Sequence, residues 1–309
     1  MPLLLGIDEA GYGPNLGPFV MSSACFTVPS LTSHDLWQPL RTAVKRASGK
    51  PDGRLIVDDS KEVYSPKTGL ALLEKHLWPW IRCLHPEVAS FRTLWESITI
   101  TPWETASHEP WLVPDAALPS QSHPASSLAL LLGVLEQTGI RLHRLNSCII
   151  PARLFNSLTN QADSKAAVPL YCVNELLLRL PSDDAVTIVI DRLGGRQRYY
   201  EQVSSWFPGK TVEIVSETPA VSSYRVGTRI TISFQVEADQ HSFCVALASM
   251  LSKYWREVCM AQFNAWFQQQ QPGLTPTAGY PLDATRFWKE VQPTRDRLLL
   301  SDDDWWRTR

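Results

Sequence analysis

The run Leu3-Leu4-Leu5-Gly6-Ile7-Asp8-Glu9-Ala10-Gly11-Tyr12-Gly13-Pro14-Asn15-Leu16-Gly17-Pro18 decides how the rest of the chain is read. Its first five residues have the length and apolar content of a buried strand, and the Gly/Pro cluster that follows forces the backbone to turn. Two carboxylates, Asp8 and Glu9, close the strand. Neighbouring side chains of a regular strand point to opposite faces, so both acids serve one site only if the strand ends there and the backbone twists away. Gly11 and Gly13 permit such a twist and, without Cβ atoms, let another backbone approach closely.

The 309 residues, 44% of them apolar, suffice to bury a substantial core, and the expectation is one α/β domain with additions. No stretch has the apolar length that a bilayer demands. The first residues reach acids too soon for a secretory signal, so the expected location is the cytoplasm. Six cysteines, at 25, 83, 148, 172, 244 and 259, form neither a Cys-x-x-Cys pair nor a disulfide-dense pattern. A net charge of −2 gives no global attraction to phosphate, so a nucleic-acid partner has to be held by local basic patches. The seven histidines contain no i, i+4 pair, which argues against a histidine zinc site and leaves oxygen ligands for any metal.

Along the chain, residues 19–28 read as a second strand in a hairpin with the first. Ser65-Pro66 reads as a cap and first helical position of a helix over 66–78. Residues 88–100 have the alternation of a strand, and 101–127 form a Pro-, Ser- and Trp-rich excursion ordered mainly by its tryptophans. Helices are expected over 128–138, 152–158, 169–180, 196–207 and, at greatest length, 242–267. Strands are expected over 185–191, 211–215 and 229–237. Strands with interspersed helices fit an α/β fold with a mixed sheet.

Two further acids stand at strand ends. Asp191 closes the most apolar strand, at the edge where ligands collect in open α/β sheets, and Asp239 follows the strand over 229–237. Taken singly, each is an ordinary turn or helix-cap acid. Together with Asp8 and Glu9 they make a four-carboxylate group too self-repelling to stand without cations. Mg²⁺ or Mn²⁺ suits sparse carboxylate ligation, and two such ions roughly 4 Å apart support in-line phosphoryl displacement.

The string from Asp8 to Pro18 resembles the opening signature of the ribonuclease HII family, Asp-Glu-Ala-Gly-Arg-Gly-Pro followed after a gap by Gly-Pro. The resemblance continues in order through Asp59-Ser60-Lys61 with Ser65-Pro66-Lys67, then Ile190-Asp191 and the archaeal- or eukaryotic-like segment 199–215. It ends with Ala238-Asp239, the helix from Ala248 to Glu257, and Gly279-Tyr280. It covers somewhat under half of the chain. It implies an RNase H-like fold: a five-stranded mixed sheet flanked by helices, in a core over 1–240 with the 101–127 insertion and a C-terminal helical extension over 241–309. It also implies a two-metal endonuclease acting on RNA·DNA hybrids or on ribonucleotides embedded in DNA, and the separate expectation for its assembly is a monomer. In that reading Asp8, Glu9, Asp191 and Asp239 are catalytic metal ligands. Gly11, Tyr12, Gly13 and Tyr280 face the sugar, and Ser60 and Lys61 hold phosphate.

Three positions depart from the family's pattern: Tyr12 replaces arginine, Arg192 replaces a small residue, and Ala278 replaces lysine. The departures leave two alternatives open. One keeps the fold and metals but changes the nucleic-acid substrate. The other is a catalytically silent binding or assembly protein in which Arg192 substitutes for a metal's charge.

Overall fold

The computed structural model describes residues 1–30, 35–50, 52–120, 125–180 and 185–308. Its strands are β1 (Leu3–Ala10), β2 (Phe19–Thr27), β3 (Val44–Lys45), β4 (Leu55–Ile56), β5 (Arg141–Ile150), β6 (Val186–Asp191), β7 (Val212–Glu217), β8 (Val221–Val226) and β9 (Ile230–Gln235). Apart from the small β3–β4 pair, they form one sheet in the order β5-β2-β1-β6-β9-β8-β7. β6 runs parallel to both β1 and β9, while the β1–β2, β2–β5, β7–β8 and β8–β9 pairs are antiparallel. The α/β class and mixed sheet stand as expected, with seven strands rather than five.

The helices are α1 (Ser60–Val63), α2 (Leu70–Leu84), α3 (Phe91–Ile98), α4 (Trp103–Ala106), α5 (Ala125–Thr138), α6 (Ala152–Ala162) and α7 (Ala167–Leu177). They continue with α8 (Tyr200–Trp206), α9 (Phe243–Gln270), α10 (Pro281–Glu290) and α11 (Gln292–Leu298). Alternation along β1 divides the core. Leu4 faces the layer containing α2, α3, α5 and α9, while Leu3, Leu5 and Ile7 face Phe155 of α6, Val168, Cys172 and Val173 of α7, and Val203 of α8. Gly6 is where the 28-residue α9 lies directly on β1. A Cβ there would sit 2.2 Å from the main chain of Cys244 and Val245, so only glycine allows the helix so close. Among the described residues no helix is long and apolar enough to cross a membrane.

Several expectations are corrected. Residues 88–100 are not a strand. Phe91, Leu94, Trp95 and Ile98 are buried at helical spacing, and Ser90 with Thr93 closes a capping box at the start of α3. Helix α2 begins at Leu70, after Gly69 at φ 57°, and runs through Pro79 to Leu84, while Ser65 and Thr68 bond each other in the preceding turn. Strand β5 was not expected at all. β1 does not end at its acids: pairing to β2 persists to Ala10↔Val20, although pairing to β6 stops at Ile7↔Ile190. The 101–127 segment packs through its tryptophans as read, with Trp103 against Phe91 and Trp95, and Trp111 against Phe263 and Phe267. Its residues 121–124 lie outside the described residues.

Candidate metal centre and its flanking turn

Parallel pairing of β1 with β6 sets Ile7 beside Ile190, so the next residues of the two strands, Asp8 and Asp191, emerge side by side at one edge of the sheet. β1 outruns its neighbour there and carries Glu9 to the same place. Ligand oxygens of Asp8, Glu9 and Asp191 all lie within 4.8 Å of one another. They converge although pairing of β1 with β2 continues past both Asp8 and Glu9, so the strand does not end at Asp8. Asp239 sits in the 3₁₀ turn Ala238–Gln240 after β9, and the Ala238 N–H donates to Asp191 Oδ1 at 2.8 Å, joining that turn to the end of β6. Asp239 lies outside the tight trio but is buried close enough to interact electrostatically with all three.

The acids perturb one another as a buried like-charge group must. Burial, then Glu9 and Asp191, hold the Asp8 carboxyl well above the usual carboxylate range, opposed by a Ser249 hydroxyl. Burial and then Asp191 push Glu9 up to about 8. Asp191 is raised by burial, partly offset by the Ala238 N–H and by Lys61. Burial, then Asp59 and Asp191, raise Asp239 to about 6. Asp59 is thus a fifth acid at this edge, absent from the sequence-derived set although it adjoins Ser60 and Lys61. It caps α1 by accepting the Lys61 N–H at 3.0 Å.

Helix α9 supports the cluster from beneath: Ser252 donates to the Asp8 carbonyl at 2.9 Å, and Ser249 meets the buried Ser60 hydroxyl at 3.2 Å. Lys61 reaches outward, its side chain 84% exposed and 3.5 Å from Asp59. The residues present fit a divalent cation. Among the described residues Glu9 Oε2 is buried with no hydrogen-bond partner, and the donor set is entirely hard carboxylate oxygen, the type that Mg²⁺ and Mn²⁺ prefer. Asp8, Glu9 and Asp191 would hold the ion, with Asp239 beside them.

The turn after β1 is built differently. Gly11 and Gly17 have φ of 87° and 76°, and a Cβ on either would run into Arg256 or its neighbours. Arg256, 3% exposed, donates to the carbonyls of Leu16, Pro18 and Ala278. The Asn15 N–H donates to the Gly279 carbonyl at 2.8 Å, which brings the 277–280 segment alongside. Gly13 consequently lies near the Tyr280 ring, which is 55% exposed. Tyr12 packs edge-on against Phe19 at 6.0 Å, with Lys165 Nζ 4.5 Å above its ring. Among the described residues Arg192 forms no ion pair with the acids, and its Nη2 donates to the Thr218 carbonyl at 3.3 Å. The acidic segment 301–306 is docked, with Trp305 buried against Phe263 and Phe267.

No protein-family description and no curated protein matches the sequence. Among solved structures, the chain is similar to ribonuclease H2 of Pyrococcus horikoshii OT3 at 13% identity and a TM-score of 0.43, covering 98% of this chain and 92% of that one. It is similar to RNase HII of Archaeoglobus fulgidus, solved with PCNA, at 13% identity and a TM-score of 0.43, covering 99% and 94%. Bst-RNase HIII with Mn²⁺ gives 12% identity and a TM-score of 0.41, covering 99% and 66%. The likeness is one of fold.

Proposed function

We propose that the protein is a divalent-metal-dependent endonuclease that hydrolyses the RNA strand of RNA·DNA hybrids or cuts at ribonucleotides embedded in duplex DNA. The observation that carries this reading is the meeting of Asp8, Glu9 and Asp191 within 4.8 Å, with an orphaned buried carboxylate oxygen among them. Mg²⁺ or Mn²⁺ held there supplies neutralisation of charge on a phosphodiester and activation of water. Asp239 adds its charge from the adjoining turn. Lys61 and Ser60 approach a phosphate from α1, the exposed Tyr280 ring offers a face for the sugar, and Gly11, Tyr12 and Gly13 shape the surface opposite it. Recognition of RNA at the junction rests on the 2′-hydroxyl.

One substitution tests the reading. Asp8→Asn should abolish Mg²⁺- or Mn²⁺-dependent cleavage while leaving the circular-dichroism spectrum intact, and retained cleavage would remove Asp8 from the role. A second reading, cleavage of a different nucleic acid, is favoured by Tyr12, whose ring is packed on Phe19 and presents no cation of its own. Parallel assays on an all-DNA duplex, an RNA·DNA hybrid and a duplex with one ribonucleotide separate the two.

A further inference from the structure

We infer that Arg307 is a positioning residue for the Gly11–Gly17 turn, holding the substrate-facing surface in place from beneath. Trp305 is anchored in the aromatic cluster of α9, and the residues after it run antiparallel to the turn, pairing at Leu16↔Trp306. The Arg307 N–H donates to the Asn15 carbonyl at 2.8 Å, Asn15 Nδ2 donates to the Arg307 carbonyl at 3.1 Å, and the Arg307 guanidinium donates to the Pro14 carbonyl. Asn156 holds the segment from α6, donating to the Trp306 carbonyl at 2.8 Å and accepting the Thr308 N–H at 2.8 Å.

Arg307 is 1% exposed and lies over the Phe155 ring at 4.8 Å, and among the described residues its Nε and Nη1 have no partner. A residue serving packing alone does not need a buried charge with two idle donors. What the charge does reach is the turn. Arg307 binds the carbonyl of Pro14, and Arg256 binds those of Leu16 and Pro18. Among the described residues neither guanidinium forms an ion pair with a carboxylate, so both lend positive potential to a turn whose own side chain, Tyr12, carries none. This deepens the nuclease reading and rests on it for the identity of the substrate, a polyanion with a phosphodiester backbone.

The test compares Arg307→Met, which keeps the aliphatic packing on Phe155, with Arg307→Lys, which keeps the charge. Hydrogen exchange of amides between Gly11 and Gly17 should be about tenfold faster in Arg307→Met, with exchange in β6 unchanged. KM for an RNA·DNA hybrid should rise about tenfold with kcat within about twofold, since the lost contact orders binding and not the metal centre. Calorimetric Mn²⁺ affinity should be unchanged, and Arg307→Lys should restore most of both losses. Unaltered exchange in the turn, or exchange raised equally throughout the sheet, would overturn the inference. If Arg307→Met does not fold, Asn156→Ala, which frees the same segment without touching the turn, should show the same local exchange, and its absence there would be equally fatal. Failure of every nucleic acid as substrate would remove the nuclease reading while the exchange and Mn²⁺ measurements still decide the positioning role.

Discussion

The strand-end acids and the turn that follows them are separated by one residue, Ala10, yet they are electrostatic opposites. At Asp8, Glu9 and Asp191 acceptors crowd together, burial raises their affinity for protons, and Glu9 Oε2 has no donor. In the turn, buried guanidiniums supply donors to the carbonyls of Pro14, Leu16 and Pro18. The protein satisfies the turn's carbonyls with its own residues and, among the described residues, leaves one carboxylate oxygen of the acids, Glu9 Oε2, without a donor. A turn completed internally can be rigid before substrate arrives, whereas the acid cluster reaches its functional charge state only with a ligand of opposite sign. On the proposed nuclease reading, the contrast separates the part of the site that would shape recognition from the part that would take a cation.

The largest effect should come from the element that supports both regions. Gly6→Ala places a Cβ 2.2 Å from the α9 main chain, and helix and strand cannot both remain where they are. Loss of more than about 4 kcal/mol, or no soluble folded protein, is expected in thermal or urea unfolding. A variant of normal stability would mean that α9 does not lie on β1 as described. Next, Arg256→Met strips donors from three carbonyls of the turn and its neighbour and should cost about 3 kcal/mol, read as a fall in Tm. Mn²⁺ affinity should survive it, because α9 supports the acids through Ser249 and Ser252, not through Arg256. Equal loss of Mn²⁺ binding would show that the two regions are one.

How much of this was legible beforehand follows the same division. The acids could be found because each closes an apolar run, and β1, β2 and β6 are plain in the periodicity of their residues. β5 escaped because its alternation is broken by His143, Arg144, Asn146 and Ser147, polar residues tolerated where β5 forms the sheet's outer strand and where Ser147 meets Ser22 across the pair at 2.9 Å. Residues 91–98 misled because their mix of β-branched and aromatic residues mimics a strand, while the helical spacing of Phe91, Leu94, Trp95 and Ile98 competes with it. Asp59 was overlooked beside the Ser60-Lys61 pair that it caps. Arg307 could not have been found: nothing local marks it, and its role exists only through contacts nearly three hundred residues away.

Glu9 sharpens the comparison through pH. In the unfolded chain its carboxyl ionises near 4.5, while in the folded metal-free protein burial and Asp191 delay ionisation to about 8. Between those values the folded state holds the extra proton, so stability is full below about pH 4.5 and falls as pH rises towards 8. Glu109, buried beside Trp111 and also pushed up to about 8, contributes with the same sign. The Glu9 share is therefore the difference between wild type and Glu9→Gln, expected to be a few kcal/mol across that range, with about 5 kcal/mol as its ceiling. Mn²⁺ at pH 8 should recover stability in wild type and much less in Glu9→Gln. A wild-type curve parallel to that of Glu9→Gln would mean that the acids do not repel as their positions require.

The smallest effect belongs to Lys61, an exposed cation whose field reaches all four acids. Its link to Asp59 is a surface contact at 3.5 Å, so Lys61→Met should leave Tm unchanged. Its charge nevertheless lowers the proton affinity of Glu9, Asp191 and Asp239, and removing it lets the acids hold protons to higher pH. The pH midpoint of Mn²⁺ binding should accordingly move upward in Lys61→Met. Well above that midpoint the order reverses: every acid is ionised, the lysine's repulsion of a second cation is gone, and Mn²⁺ affinity should exceed that of wild type. Curves that cross in this way would show a lysine acting on the cluster by field alone. Curves that never cross would place its contribution elsewhere, in the phosphate contact that the proposed activity assigns to it.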